Sequence, residues 1–148
     1  MSKEILIGQI GKAAVIGTAI VFFTNIICHG IGVLIARKSG LSDLATIVTV
    51  VLGIAAIADV VVAFILKRKF LAPLFVPDNN RHENELVQTI MKTTIVVSAL
   101  CALPPVYGLA AVLLGATTEI MVAFSVVSLG GFLILRLRSG DFDRLNEI

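Results

Sequence analysis

The sequence predicts an all-α integral membrane protein, a four-helix bundle built from two helical hairpins with both chain ends in the cytoplasm. Three observations predict it. Hydrophobic residues make up 57% of the 148-residue chain, and mean hydropathy is +1.01, where soluble domains hold about 45–50% apolar residues. The apolar residues fall into four runs near 13–36, 44–66, 93–114 and 117–135, each within the ~17–25 residues needed to cross a ~30 Å hydrocarbon core. The charges gather at the chain ends and in one central stretch, 67–92. A chain of this length reads as a single membrane domain over 1–148, since its interior cannot hide so much apolar surface without lipid. Barrel strands would alternate and these runs do not, so helices are the form that satisfies every backbone group in lipid.

The first run follows Lys3 and Lys12 and is too long for the apolar core of a cleavable signal. The second ends at Lys67-Arg68-Lys69, which reads as the start of the central loop. Within that loop Pro73 and Pro77 break any long helix, and the apolar stretch Phe70 to Val76 is expected at the membrane surface. Asp78-Asn79-Asn80 is a turn signal, and Asn80 with Glu83 resembles a capping box. The third helix is therefore expected to start near Arg81 and to run unbroken to Leu114. Leu86, Val87, Ile90 and Met91 give its first turns an apolar stripe suited to packing. The outer loops, 37–43 and 116–119, are short, so each joins neighbouring antiparallel helices. Ten Lys and Arg residues fall on the side of the termini and central loop and two on the other; the positive-inside rule makes the first side cytoplasmic.

Polar groups inside the spans are the places to look for a site, because each one costs energy in lipid. Asp59 is the one deep charge, priced at roughly 2.5–3.5 kcal/mol at a helix centre. Thr18, Ser98, Cys101, Ser125 and Ser128 lie at a similar depth by residue count, and the hydroxyls among them could bond its carboxyl group; Asp59 with Ser98 is the candidate ion-binding set. The alternative is a hydrogen-bonded Asp59 that fixes helix register. His29 and Tyr107 match in depth on their spans and are expected to bond to each other as structural polar residues. Thr24 and Asn25 read as interhelical hydrogen-bonding groups. Cys28 and Cys101 read as buried free thiols. Small residues four apart (Ala13 and Gly17, Ser98 and Ala102, Ala111 and Gly115), together with Gly130-Gly131, suit close helix approach.

Other chemistries lack their residues. Gly8 and Gly11-Lys12 miss the spacing and the following Ser or Thr of a phosphate loop. No nucleophile stands with a plausible His and Asp set, and His29 and His82 fall on opposite sides of the membrane, so neither a catalytic site nor a metal site is expected. No haem-attachment motif is present, no cofactor is expected, and a net charge of +2 gives no reason to expect nucleic acid.

One segment carries a resemblance. Ala99-Leu100-Cys101 followed by Pro104-Pro105-Val106-Tyr107-Gly108-Leu109 resembles the second helix of the c and K proteolipid subunits of rotary ATP synthases. It looks closer still to four-span bacterial membrane proteins of c/K-like type. The likeness covers about residues 81–148, under half the chain. It implies a bacterial inner membrane, oligomers and proton or cation transport. The ion-binding carboxylate of that family falls on Ala102 here, and the glycine ladder of the rotor's first helix is absent from the second span, which has only Gly53. Asp59, within about a turn of Ala102 in depth by residue count, is a candidate replacement across the interface. The expected function is a non-catalytic structural or accessory subunit of a membrane complex, its partners being lipid and either further copies or other membrane subunits. The alternative is a c/K-like ion-translocating subunit or channel using Asp59.

Overall fold

A computed structural model describes residues 3–35, 43–72 and 83–136. Five helices follow in order: α1 (Lys3–Ile35), α2 (Asp43–Leu71), α3 (Glu83–Cys101), α4 (Leu103–Leu113) and α5 (Thr118–Leu135). Together they make four helical rods long and apolar enough to cross a membrane, the third formed by α3 and α4 in succession. The chain is a multi-pass membrane protein. Arg37, Lys38, the stretch from Pro73 to Asn80, Arg81 and the residues after Arg136 lie outside the described residues, and with them the turn signal, Asn80 of the capping box and all of the expected surface segment after Ala72. The first residues of that segment, Phe70 and Leu71, continue α2, and Leu71 is buried against α1 and α3.

Three helix boundaries differ from the sequence reading. α1 begins at Lys3, ahead of the first apolar run. The basic triplet Lys67-Arg68-Lys69 belongs to α2, which continues to Leu71. Cations in a last turn interact favourably with the helix dipole. The Arg68 guanidinium also lies over the Phe64 ring, 5.4 Å from its centroid, one turn back. The third span is interrupted at Ala102, where α3 gives way to α4. Pro104 and Pro105 have no N–H to give, so they cannot continue the α3 ladder, and both fit the first turn of α4, where donors are not needed. Ala102 bridges the break, its N–H shared between the carbonyls of Ser98 at 2.9 Å and Ala99 at 3.1 Å.

The turn between α4 and α5 is set by Gly115, whose φ of 101° is a left-handed conformation that glycine adopts without strain. The Gly115 N–H donates to the Val112 carbonyl at 3.0 Å and the Ala116 N–H to the Ala111 carbonyl at 2.9 Å, the paired bonds of a Schellman stop. This tight return makes α4 and α5 close neighbours. The first hairpin is different. α1 packs on α3, α4 and α5, and α2 packs on the same three, so the two helices flank the third span and barely meet. Burial follows the same order: half of the third span's most apolar stretch is buried inside the bundle, against 11% for α2.

Core packing explains several small residues. Near one end, Ile10, Ala13, Leu71 and Ile90 form a buried cluster with Leu86 and Met91 against it; these α3 residues are the stripe read as a packing face. A second cluster joins Val21, Ala63, Val97, Cys101, Ala102, Phe132 and Leu135 from every span. A Cβ on Gly108 would come within 3.2 Å of the Met121 Cα and 3.1 Å of the Phe124 Cβ. A backbone atom cannot swing aside as a side-chain tip can. Gly108→Val is therefore expected to destabilise the bundle by about 1–3 kcal/mol. Gly53→Ala, whose Cβ would meet nothing within 4 Å, is expected to cause no loss. Loss of helicity on titration with SDS, followed by circular dichroism, compares the two.

Candidate functional site

The polar groups of the spans are organised around the proline break. A helix interior bonds each N–H to the carbonyl four residues back. Pro104 and Pro105 thus deny a donor to the carbonyls of Leu100 and Cys101. Water is not at hand in hydrocarbon, and an unpaired carbonyl there costs several kcal/mol. The Cys101 carbonyl is supplied from α5: Ser128 Oγ donates to it at 2.6 Å. Ser128 in turn accepts from Asn25 Nδ2 of α1 at 3.0 Å, and the same amide donates to the Val21 carbonyl at 2.8 Å. One polar chain therefore links α1, α5 and the break, with Asn25 and Ser128 both buried. Thr24 bonds instead within its own helix, to the Ile20 carbonyl at 2.8 Å.

The sequence reading missed the role of Ser128, although a signal was present. Two prolines in a span mark the carbonyls that need donors, and a tight turn after Leu114 fixes the antiparallel register. Gly108 against Met121 and Cys101 against Ser128 are pairs placed symmetrically about that turn.

The second polar link holds α2. Tyr107 Oη donates to Asp59 Oδ2 at 2.8 Å. Asp59 lies 12 residues before the end of α2, about 18 Å along the helix and close to its middle. Both residues are half-buried. This replaces the pairing expected for Tyr107: its partner is Asp59 and not His29. His29 is half-buried on α1. Ser98 is fully buried, facing Gly17 of α1, where an added Cβ would lie 2.5 Å from Ser98 Oγ. Neither Ser98 Oγ nor Ser125 Oγ has a hydrogen-bond partner, so neither hydroxyl reaches Asp59.

Side-chain direction explains why Tyr107 and Asp59 meet. Val60 packs on Gly131, while Gly108 packs on Met121 and Phe124. Measured along α5, Asp59 and Tyr107 are thus separated by seven to ten residues, roughly 10–15 Å. Helical side chains lean toward the N-terminus of their own helix. α2 and α4 follow one another across the bilayer in opposite senses, so their side chains lean toward each other and close this gap.

The rest of the site is sparse in reactive groups. Cys28 and Cys101 are buried free thiols. Among the described residues, no group of three or more His, Cys, Asp or Glu residues could hold a metal ion. The arrangement offers one carboxylate, one phenol, one carboxamide and a few hydroxyls, mostly turned toward other helices.

Two outcomes are expected. In a double-mutant cycle with Tyr107→Phe and Asp59→Ala, SDS unfolding should give a coupling of about 0.6–1.7 kcal/mol, the range of interhelical side-chain bonds in membranes. Ser128→Ala should cost about 1–3 kcal/mol, because it strands the Cys101 carbonyl; Ser125→Ala, which removes an unpartnered hydroxyl, should cost less.

Compared with family models, curated proteins and solved structures, the chain matches none.

Proposed function

We propose that the chain is a non-catalytic integral membrane protein, a structural or accessory subunit of a membrane complex in a bacterial inner membrane, with both termini cytoplasmic. One observation carries this reading: Asp59, Tyr107, Ser128 and the Asn25 amide, the polar side chains that pair across helices, are spent on joining one span to another. Asp59 holds Tyr107, and Ser128 and Asn25 hold the proline break. A transport path or a catalytic site needs such groups to face a substrate. The surface left over is apolar, most of all along α2, where Ile47, Val50, Val51, Ile54, Ile57 and Val61 are exposed. Lipid, further copies of the chain or other membrane subunits can cover it. Native mass spectrometry of tagged protein, extracted from its own membrane in mild detergent, tests the proposal. Masses above the 15.7 kDa of one chain, as multiples or with other subunits attached, are expected. A bare monomer in every mild detergent would overturn the subunit reading.

A second reading is kept for a specific reason. Asp59 is the one charged residue at the centre of a span, and it is joined to Tyr107, a residue of the segment that resembles c/K proteolipids. On this reading the carboxylate has passed from the third span, where Ala102 now stands, to α2, and the protein moves protons or cations as an oligomer. Proton flux into liposomes carrying the purified protein decides it. The reading expects flux that Asp59→Asn abolishes, and equal flux in the two proteins ends it.

A further inference from the structure

The ends of α2 and α5 enclose a cavity of about 400 Å³ beside the helix face that carries Lys67 and Arg68. This size falls in the range of small-molecule sites, about 300–1,000 Å³. Its floor is apolar and closed, formed by Leu71 and Leu135 at 5% and 3% exposure. Its sides are apolar and open, formed by Phe64 and Ile134 at 46% and 73% exposure. The cations line it one turn beyond Phe64 along α2, between Phe64 and the pair Leu71 and Ala72. Arg68 is anchored there by its stack on Phe64, and Arg136, directly after Leu135, adds a third exposed or part-exposed cation at the same end of the bundle.

We propose that this cavity binds an anionic phospholipid, with its phosphodiester at Lys67 and Arg68 and one acyl chain along Phe64 and Ile134. Depth supports the assignment. Both cations lie in the last turns of a 27-residue span, the level at which a span meets the lipid headgroups. Shape supports it as well. From Arg68 the open sides lead back one turn along α2 to Phe64, toward the hydrocarbon, as a headgroup leads into its chain. A free phosphate would use only Lys67 and Arg68 and would leave the apolar sides unfilled. The groove farther along α2 and α5, lined by Gly53, Ile57, Ala123 and Val127 among others, has no charged residue. It can take an acyl chain but cannot select a headgroup.

The test uses full-length protein in a neutral detergent, titrated with dioleoyl phosphatidylglycerol or dioleoyl phosphatidylcholine, with bound lipid counted by native mass spectrometry. A cation near an anionic lipid is worth roughly fivefold in binding, so the pair should favour phosphatidylglycerol by about 25-fold. Lys67→Gln with Arg68→Gln should erase that preference. Exchanging the two cations (Lys67→Arg with Arg68→Lys) should keep it, which separates charge from any general loss of fold. Millimolar inorganic phosphate should not displace the lipid. Equal retention of the two lipids by the unaltered protein would overturn the proposal. So would a preference that survives the double Gln substitution, or full displacement by inorganic phosphate, which would mark an anion site with no use for the acyl chain.

Discussion

A helix broken inside a membrane must find donors for the carbonyls it frees, and that requirement organises this bundle. Pro104 and Pro105 break the third span at its middle, and the Cys101 carbonyl loses its donor. In water such a break costs little, since solvent fills in. In hydrocarbon the replacement has to come from the protein. Ser128 provides it from α5, and Asn25 backs Ser128 from α1. The bond fixes the register of α5 against the third span within about one residue, because a hydroxyl on a short side chain has almost no reach. Gly108 has to be small for the same reason: with Ser128 in register, α5 backbone passes directly over it. The break, the hydroxyl and the glycine act as one device.

The position of the other helices follows. With α4 and α5 held close, the third and fourth spans take the centre, and α1 and α2 are left on the flanks. Asn25 ties α1 to α5, and Asp59 ties α2 to α4. α1 gains more from packing, since Gly17 meets Ser98 and Phe132, and Gly32 meets Met121. α2 gains less. Its Gly53 faces open space, while its Val60 packs over Gly131 of α5. With less packing to hold it, α2 depends more on polar bonds such as that from Tyr107. The segment from Pro104 to Leu109 touches every span: Tyr107 reaches α2, Gly108 reaches α5, and Leu109 approaches Gly32 of α1.

How much of this was legible in the sequence depends on the range of the interaction. The four spans were legible because hydropathy over twenty residues is a sum that no single side chain can overturn. The packing stripe at Leu86, Ile90 and Met91 was legible for a similar reason, as a pattern repeated along one face. The partner of Tyr107 was not. Depth counted by residue put it level with His29, and that count compares Cα positions on straight rods. The true partner is set by which way the side chains lean, by where α2 stands round the bundle and by the change of path at Ala102. The last of these was in plain view as Pro104-Pro105. What a lone sequence does not carry is that α1 and α2, consecutive and joined by a short loop, stand apart. That arrangement results from the close α4–α5 pair taking the centre, a competition among all four spans.

Asp59 stands where a structural and a transporting role can be told apart by geometry. A carboxylate that only fixes register needs one good donor and no access, and Tyr107 supplies the donor. A carboxylate that carries protons must also meet a path to each side of the membrane; the Ser98 and Ser125 hydroxyls do not reach Asp59, and the Ser128 hydroxyl is given to the Cys101 carbonyl. Within a single chain the balance falls on the structural side. Yet Asp59 is half-buried, on the helix with the barest apolar face. Its surroundings are completed by whatever lies against α2. If that is lipid, the residue remains a peg for Tyr107, because hydrocarbon adds neither donor nor water. If it is a neighbouring chain that brings a hydroxyl or a file of water to the open side, the same residue gains the second contact a transported ion requires. The functional question about this protein thus reduces to a physical one, namely which surface covers α2 beside Asp59.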